Sequence, residues 1–218
     1  MNKRQTEHKR CISIVPIFNH LTEEEMNGIV KETTSLTYAR GETLFHPGDV
    51  SSRLYIVHKG RVKIYRLSEN GKEQLVRVLE PGDFTGELTL FNETTVDTYA
   101  EALEKTQLCV MEGVDFQQFL LTYPAIAIKV LNEISRRLQQ SEEQSAQIAL
   151  EKVETRLALY LARIAEEQKS TTITLPMSQK DIASYLGTTP ETINRKLNEL
   201  VDKGMIQVGK SRKIVITD

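Results

Sequence analysis

Met177 to Gly204 reads MSQKDIASYLGTTPETINRKLNELVDKG, and two helix starts and two glycine stops lie inside it. Ser178 with Asp181 has the form of a capping box, in which a hydroxyl and a carboxylate three residues on satisfy each other's backbone N–H groups. Gly187 then closes the first helix, Thr188 or Thr189 caps a second with Pro190 in its first turn, and Gly204 ends that one. Two helices joined by so tight a turn form a helix-turn-helix, and Ala183, Leu186, Ile193 and Leu197 are spaced to pack the pair together.

On a wheel of about 100° per residue with Ile193 at zero, Leu197, Leu200 and Val201 fall within about 80° of it and form the expected buried stripe. Glu191 and Arg195 fall near about 160° and about 200°, pointing away from the core. They are four residues apart, near enough to pair, in the half of the helix that enters a major groove in this motif. An arginine there bonds both acceptors on the edge of guanine and a glutamate accepts from cytosine N4, so together they suit a G·C pair. Glu191 also has a plainer reading, as the distal member of a capping box begun by Thr188. The outward face shared with Arg195 favours base reading.

Downstream, GMIQVGKSRKIVITD alternates apolar and polar residues on both sides of a basic turn, Gly209 to Lys213, which reads as a β-hairpin carrying Lys210, Arg212 and Lys213 at its tip. Upstream, no glycine occurs between Tyr123 and Gly187. Ala127, Leu131, Ile134, Leu138, Ser141, Ser145 and Ile148 step alternately by four and three, an a/d seam whose second half is small and polar. Such a helix either pairs with a copy of itself or packs on its own neighbouring domain. The charged flanks in NEISRRLQQSEEQ favour pairing.

Further upstream, Thr37 to Val114 consists of short strand-like runs broken by Gly41, Gly48, Gly60, Gly71 and Gly82, roughly the spacing of an all-β roll or barrel. In GRVKIYRL, Val62 and Ile64 alternate with Lys63 and Tyr65, as a half-buried strand requires.

The 28 basic and 30 acidic residues of the 218 nearly cancel, so nucleic-acid binding must rest on a local patch. No stretch approaches the roughly 20 apolar residues of a membrane span, and the charged start Met1 to Arg10 has no apolar run behind it. A cytoplasmic protein without membrane contact is expected. Cys11 and Cys109 are too few for a disulfide framework and form no Cys-x-x-Cys zinc pattern. His8, His20, His46 and His58 are scattered, with no nucleophile–base arrangement nearby, so neither an enzyme nor a metal site is expected.

With these features in this order, nearly the whole chain resembles the Crp/FNR family of transcription regulators. PGDFTGELTLF (Pro81 to Phe91), KGRVKIYR (Lys59 to Arg66) and YLGTTPETINRKL (Tyr185 to Leu197) carry the resemblance most specifically. It implies an α+β chain with an N-terminal arm over 1–20, a cyclic-nucleotide-binding-like β-roll over 21–122, a dimerisation helix over 123–150 and a winged helix-turn-helix over 151–218. It implies a homodimer on double-stranded DNA at a palindromic, TGA-containing site, with RNA polymerase as a further partner. Glu191 and Arg195 match the family's base-reading pair, with Asn194 beside them. Thr188, Thr189, Lys210, Arg212 and Lys213 are then expected on the DNA backbone.

For the effector, the resemblance implies a pocket at Gly86, Glu87, Leu88, Asp97, Thr98 and Ser141. Cyclic-nucleotide-binding relatives place a ribose-binding glutamate where Glu87 stands and a phosphate-binding arginine ten residues later, where this chain has Asp97. A carboxylate repels a phosphate at close range, which argues against cyclic AMP. Cys109 matches one of the four iron–sulfur ligands of FNR and Cys11 falls in the region of the other three, short of a Cys₄ set, so no cofactor is expected. The chain is nearest the FNR-like proteins of Gram-positive bacteria that lack those ligands, and that resemblance implies a redox switch through Cys11 and Cys109. The alternative is a regulator answering an unidentified small molecule, or active without one.

Overall fold

A computed structural model describes residues 12–91 and 94–217. The chain divides into two compact units, residues 1–70 with 76–136 and residues 71–75 with 137–218.

The first unit is built on strands β1 (Thr33–Tyr38), β2 (Thr43–Phe45), β3 (Arg53–Lys59), β4 (Val62–Leu67), β5 (Glu73–Leu79), β6 (Phe84–Thr85), β7 (Tyr99–Ala102) and β8 (Thr106–Glu112). They form two four-stranded sheets, ordered β1-β8-β3-β6 and β2-β7-β4-β5. Tyr55 and Val57 of β3 with Leu108 and Val110 of β8 face a core shared with Val62, Ile64, Leu79 and Ala100. Leu54, Ile56, Cys109 and Met111, alternating with them, face a second core. Burial on both faces explains why these strands read as continuous apolar runs rather than strict alternations.

That second core is closed by helices. Met26, Ile29 and Val30 of α1 (Glu23–Lys31), Leu90 of α2 (Glu87–Phe91), Phe116 of α3 (Gly113–Thr122) and Ile126 and Val130 of α4 (Pro124–Leu150) all lie in it. So do Ile12, Val15, Ile17 and Phe18, while Ser13, Ile14 and Pro16 between them are exposed. The buried apolar side chains have nowhere drier to go.

One strand departs from its expected phase. Lys63 on β4 is buried along with Val62 and Ile64. Its ammonium lies 3.3 Å from Glu101 on the paired strand β7 and 4.3 Å from the centre of the Tyr65 ring. A lysine is buried where a carboxylate and an aromatic face replace its water. The five glycines expected at turns all have positive φ, between 77° and 97°.

The second unit holds α5 (Val153–Gln168), β9 (Thr172–Thr174), α6 (Gln179–Tyr185), α7 (Pro190–Asp202), β10 (Ile206–Val208) and β11 (Lys213–Ile216). Its sheet runs β10-β11-β9, antiparallel throughout. Leu157, Tyr160, Leu161 and Ile164 of α5 are buried, as are Ile182 and Ala183 of α6 and Ile193, Leu197 and Leu200 of α7.

Candidate nucleic-acid interface and effector site

The reading head is assembled from caps. Ser178 Oγ accepts from the Asp181 N–H at 3.2 Å and Asp181 Oδ2 accepts from the Ser178 N–H at 3.3 Å, closing the capping box of α6. At its far end the buried Arg156 of α5 donates to the Leu186 carbonyl, and Gly187 turns the chain with φ of 66°. A Cβ at Gly187 would lie 3.3 Å from Arg156 Nη1, so the turn is tight in space as well as strained in angle.

Thr189, not Thr188, caps α7, accepting from the Thr192 N–H at 3.3 Å, with Pro190 in the first turn. The third helical position is therefore Thr192, and Glu191 is not the distal half of a box begun by Thr188. Its carboxylate instead accepts from its own backbone N–H and from the Thr189 hydroxyl, which holds its pKa below the usual carboxylate value. Glu191 thus supports the helix start while standing exposed, as do Asn194 and Arg195.

Arg195, near enough in sequence to pair with Glu191, has its Nε 3.9 Å from Glu199, one turn the other way. One expectation about α7 needs correction. Val201 is 38 % exposed and does not belong to the buried stripe, since its place at the edge of that stripe is not covered. On another side of the helix, Lys196 reaches Glu199 at 2.5 Å and Glu154 of α5 at 3.4 Å, and Lys203 reaches Glu154 at 2.6 Å.

The hairpin turn carries Ser211 and Arg212 at φ of 57° and 63°, with the Lys213 N–H donating to the Lys210 carbonyl at 3.2 Å. Two successive left-handed residues match the twist of the flanking strands. Lys210, Arg212 and Lys213 are all exposed. Strand β9, which pairs the other edge of β11, escaped the sequence reading; its signal was the alternation Thr172, Ile173, Thr174, Leu175. Thr188 is half-buried, and the exposed Thr189 spends its hydroxyl on the cap.

In the first unit, Gly86 has φ of 101°, and a Cβ there would collide with the Arg53 carbonyl. Glu87 follows at the start of α2, buried to 6 % exposure. Arg77 of β5 donates to it at 2.9 Å and to Thr85 Oγ1 at 3.3 Å, so the carboxylate at the relatives' ribose-binding position is held by an internal guanidinium that the sequence did not identify. Nothing local in the sequence links two residues ten apart across a turn. Asp97 is exposed and ion-paired with Arg66, Thr98 is half-buried and Leu88 is exposed. Ser141 lies exposed on α4 in the other unit.

Along α4, Leu131 and Leu138 are each 59 % exposed, whereas Ile126 and Val130 face the first unit's core. Ile126 and Val130 thus pack on the neighbouring domain, as one of the two readings of this helix has it, and Leu131 and Leu138 lie outside that packed face. Cys109 of β8 is 2 % exposed and is disulfide-bonded, and Cys11 lies outside the described residues. Among the described residues, no group of three or more His, Cys, Asp and Glu is placed to hold a metal ion, and no helix is long and apolar enough to cross a membrane.

A roll of two sheets followed by a long helix and a winged helix-turn-helix defines a regulator with a sensor-type and a DNA-reading module. The cyclic nucleotide-binding domain model matches residues 35–123 and the Crp-like helix-turn-helix model residues 155–218. The chain is 36% identical over 206 residues to the "Probable transcriptional regulator flp" of Lacticaseibacillus casei, covering 94% of each. It is 26% identical over 207 residues to the CRP-like cAMP-activated global transcriptional regulator of Mycobacterium tuberculosis, covering 93% of this chain and 92% of that one. In fold it is similar to FixK2 from Bradyrhizobium japonicum, with a TM-score of 0.75 at 24% identity over 85% of this chain and 93% of that one. The chain belongs to the Crp/FNR family: it is a DNA-binding transcription regulator, not an enzyme.

Proposed function

We propose that this regulator works in the cytoplasm as a homodimer on a palindromic, TGA-containing site, without cyclic AMP, and that a disulfide between Cys11 and Cys109 switches it. The outward Glu191 and Arg195 on a capped α7, backed by the exposed basic hairpin, carry the reading. Arg195 takes guanine, Glu191 the cytosine opposite, and Asn194 a neighbouring base. The backbone at Thr188 and Thr189, with Lys210, Arg212 and Lys213, meets phosphates, which sets position rather than sequence.

The exposed Leu131 and Leu138 support pairing through α4, since apolar side chains at seam spacing gain from burial against a copy. A two-fold dimer then sets its reading helices about 34 Å apart, one DNA turn. RNA polymerase is the partner such a dimer would recruit or exclude. Against cyclic AMP, Glu87 is already committed to Arg77, and Asp97 stands exposed with Arg66 as its partner. Gly86, Leu88 and Thr98 of the first unit are where a different effector would be met, and Ser141 on α4 is the further contact that the family resemblance implies. For the switch, Cys109 is disulfide-bonded and faces the same core as Ile12, the neighbour of Cys11 in sequence.

Fluorescence anisotropy of a palindromic TGA duplex against a scrambled one, at fixed salt, reduced and then oxidised, tests the whole reading. Preference for the palindrome that changes with oxidation, and is indifferent to it in Cys11→Ser, is expected. Preference without redox response removes the switch; equal binding to both duplexes removes the site assignment.

A further inference from the structure

Arg195 reads a base only if its guanidinium is presented in one orientation. Its side chain is 69% exposed, and a long exposed arginine loses conformational freedom each time it docks. Its close charged neighbour is Glu199, one turn further along α7, whose Oε1 lies 3.9 Å from Arg195 Nε. A guanidinium meets the two acceptors of guanine with a pair of N–H groups, so a carboxylate on the Nε edge steadies the group while the two terminal nitrogens still reach the base.

Glu199 is itself held. Its second oxygen accepts from Lys196 Nζ at 2.5 Å, and that ammonium lies 3.4 Å from Glu154 Oε2. Glu154 sits in the first turn of α5, where its other oxygen takes Lys203 at 2.6 Å. These contacts hold the Glu154 carboxyl below its usual pKa, through Lys203 first and then Lys196, and raise that of Lys196 through Glu199. A chain of alternating charges thus runs from the supporting helix to the reading arginine. Pairs this exposed add little to folding, which leaves orientation as what the chain supplies.

We propose that Glu199 is a specificity-determining residue that positions Arg195 and is braced by Lys196 and Glu154. The inference rests on Arg195 reading guanine. The full chain is titrated by fluorescence anisotropy at fixed salt against the TGA palindrome, the same duplex with adenine replacing the half-site guanine, and a scrambled duplex. The ratio of the first two affinities is compared for wild type, Glu199→Gln, Arg195→Ala and the double variant, with thermal midpoints alongside.

Glu199→Gln is expected to lower that ratio by about three- to tenfold, part of what a good arginine–guanine contact supplies. The thermal midpoint should hold, and the substitution should change nothing further in the Arg195→Ala background. Lys196→Met, which cuts Glu199 from its brace, should lower the ratio less. A wild-type ratio in Glu199→Gln and Lys196→Met, beside a collapsed one in Arg195→Ala, overturns the inference and leaves base reading intact. A wild-type ratio in Arg195→Ala overturns the reading beneath it. Weakening on all three duplexes with a lower thermal midpoint makes Glu199 a folding residue and also overturns the inference.

Discussion

The start of α2 and the start of α7 each present a glutamate near a glycine with positive φ, yet they treat it in opposite ways. At α2, Glu87 is buried and bound by Arg77, and the backbone before it is wedged against Arg53. At α7, Glu191 is exposed, its hydrogen bonds are made to its own helix start, and Arg195 lies on the same outer face. A buried carboxylate must find a cation inside the fold, whereas an exposed one keeps acceptor capacity for a ligand. The two regions therefore carry family motifs of equal clarity, but only the second keeps its motif facing out.

Substitutions should separate the two. Glu87→Ala leaves the Arg77 guanidinium facing a gap; since Arg77 is partly exposed, about 2 to 3 kcal/mol of stability should be lost, below the cost of a fully buried broken pair, with preference for the TGA duplex unchanged. Denaturant unfolding beside anisotropy measures both, and a loss of preference without loss of stability would give Glu87 an effector role. Arg195→Ala should do the reverse, costing about 2 kcal/mol of specific binding with unfolding unaffected. If stability falls instead, Arg195 belongs with Glu87 as a structural residue.

Smaller effects sharpen the contrast. Lys210→Ala should weaken all duplexes alike and reduce the slope of log affinity against log salt by about one unit, as a single phosphate contact does. A change confined to one sequence would make the hairpin a base reader. Last, the lowered pKa of Glu191 sets a pH dependence. Its folded value lies below its unfolded one, so its contribution is present above the unfolded pKa and is lost as pH falls through the folded value. Wild type and Glu191→Gln should therefore differ slightly in thermal midpoint near neutral pH and converge in acid. A gap that persists in acid would deny Glu191 its part in the helix start.

Much of the reading head was legible because it is local. The capping box of α6, Pro190, the φ-positive glycines and the 3.6-residue period act within one or two turns, and the phase of Glu191 and Arg195 followed from the stripe of Ile193, Leu197 and Leu200. The β-roll was legible in outline from its glycine turns and its family motifs. Less legible were Val201, whose burial depends on what covers the edge of a stripe, and β9, a strand of three residues whose partner β11 lies beyond both helices of the reading head, Ile173 opposite Ile214.

Sequence alone determined the order of modules, the two helices of the reading head and the outward phase of its two charged residues, because each depends on backbone geometry repeated at short range. Tertiary structure decided the partners. It buried Lys63 against Glu101, gave Glu87 to Arg77, turned Arg195 toward Glu199 instead of Glu191, and packed Ile12 and Cys109 into one core. Those choices depend on which strands and turns meet, and a charge or thiol finds its partner through space rather than along the chain.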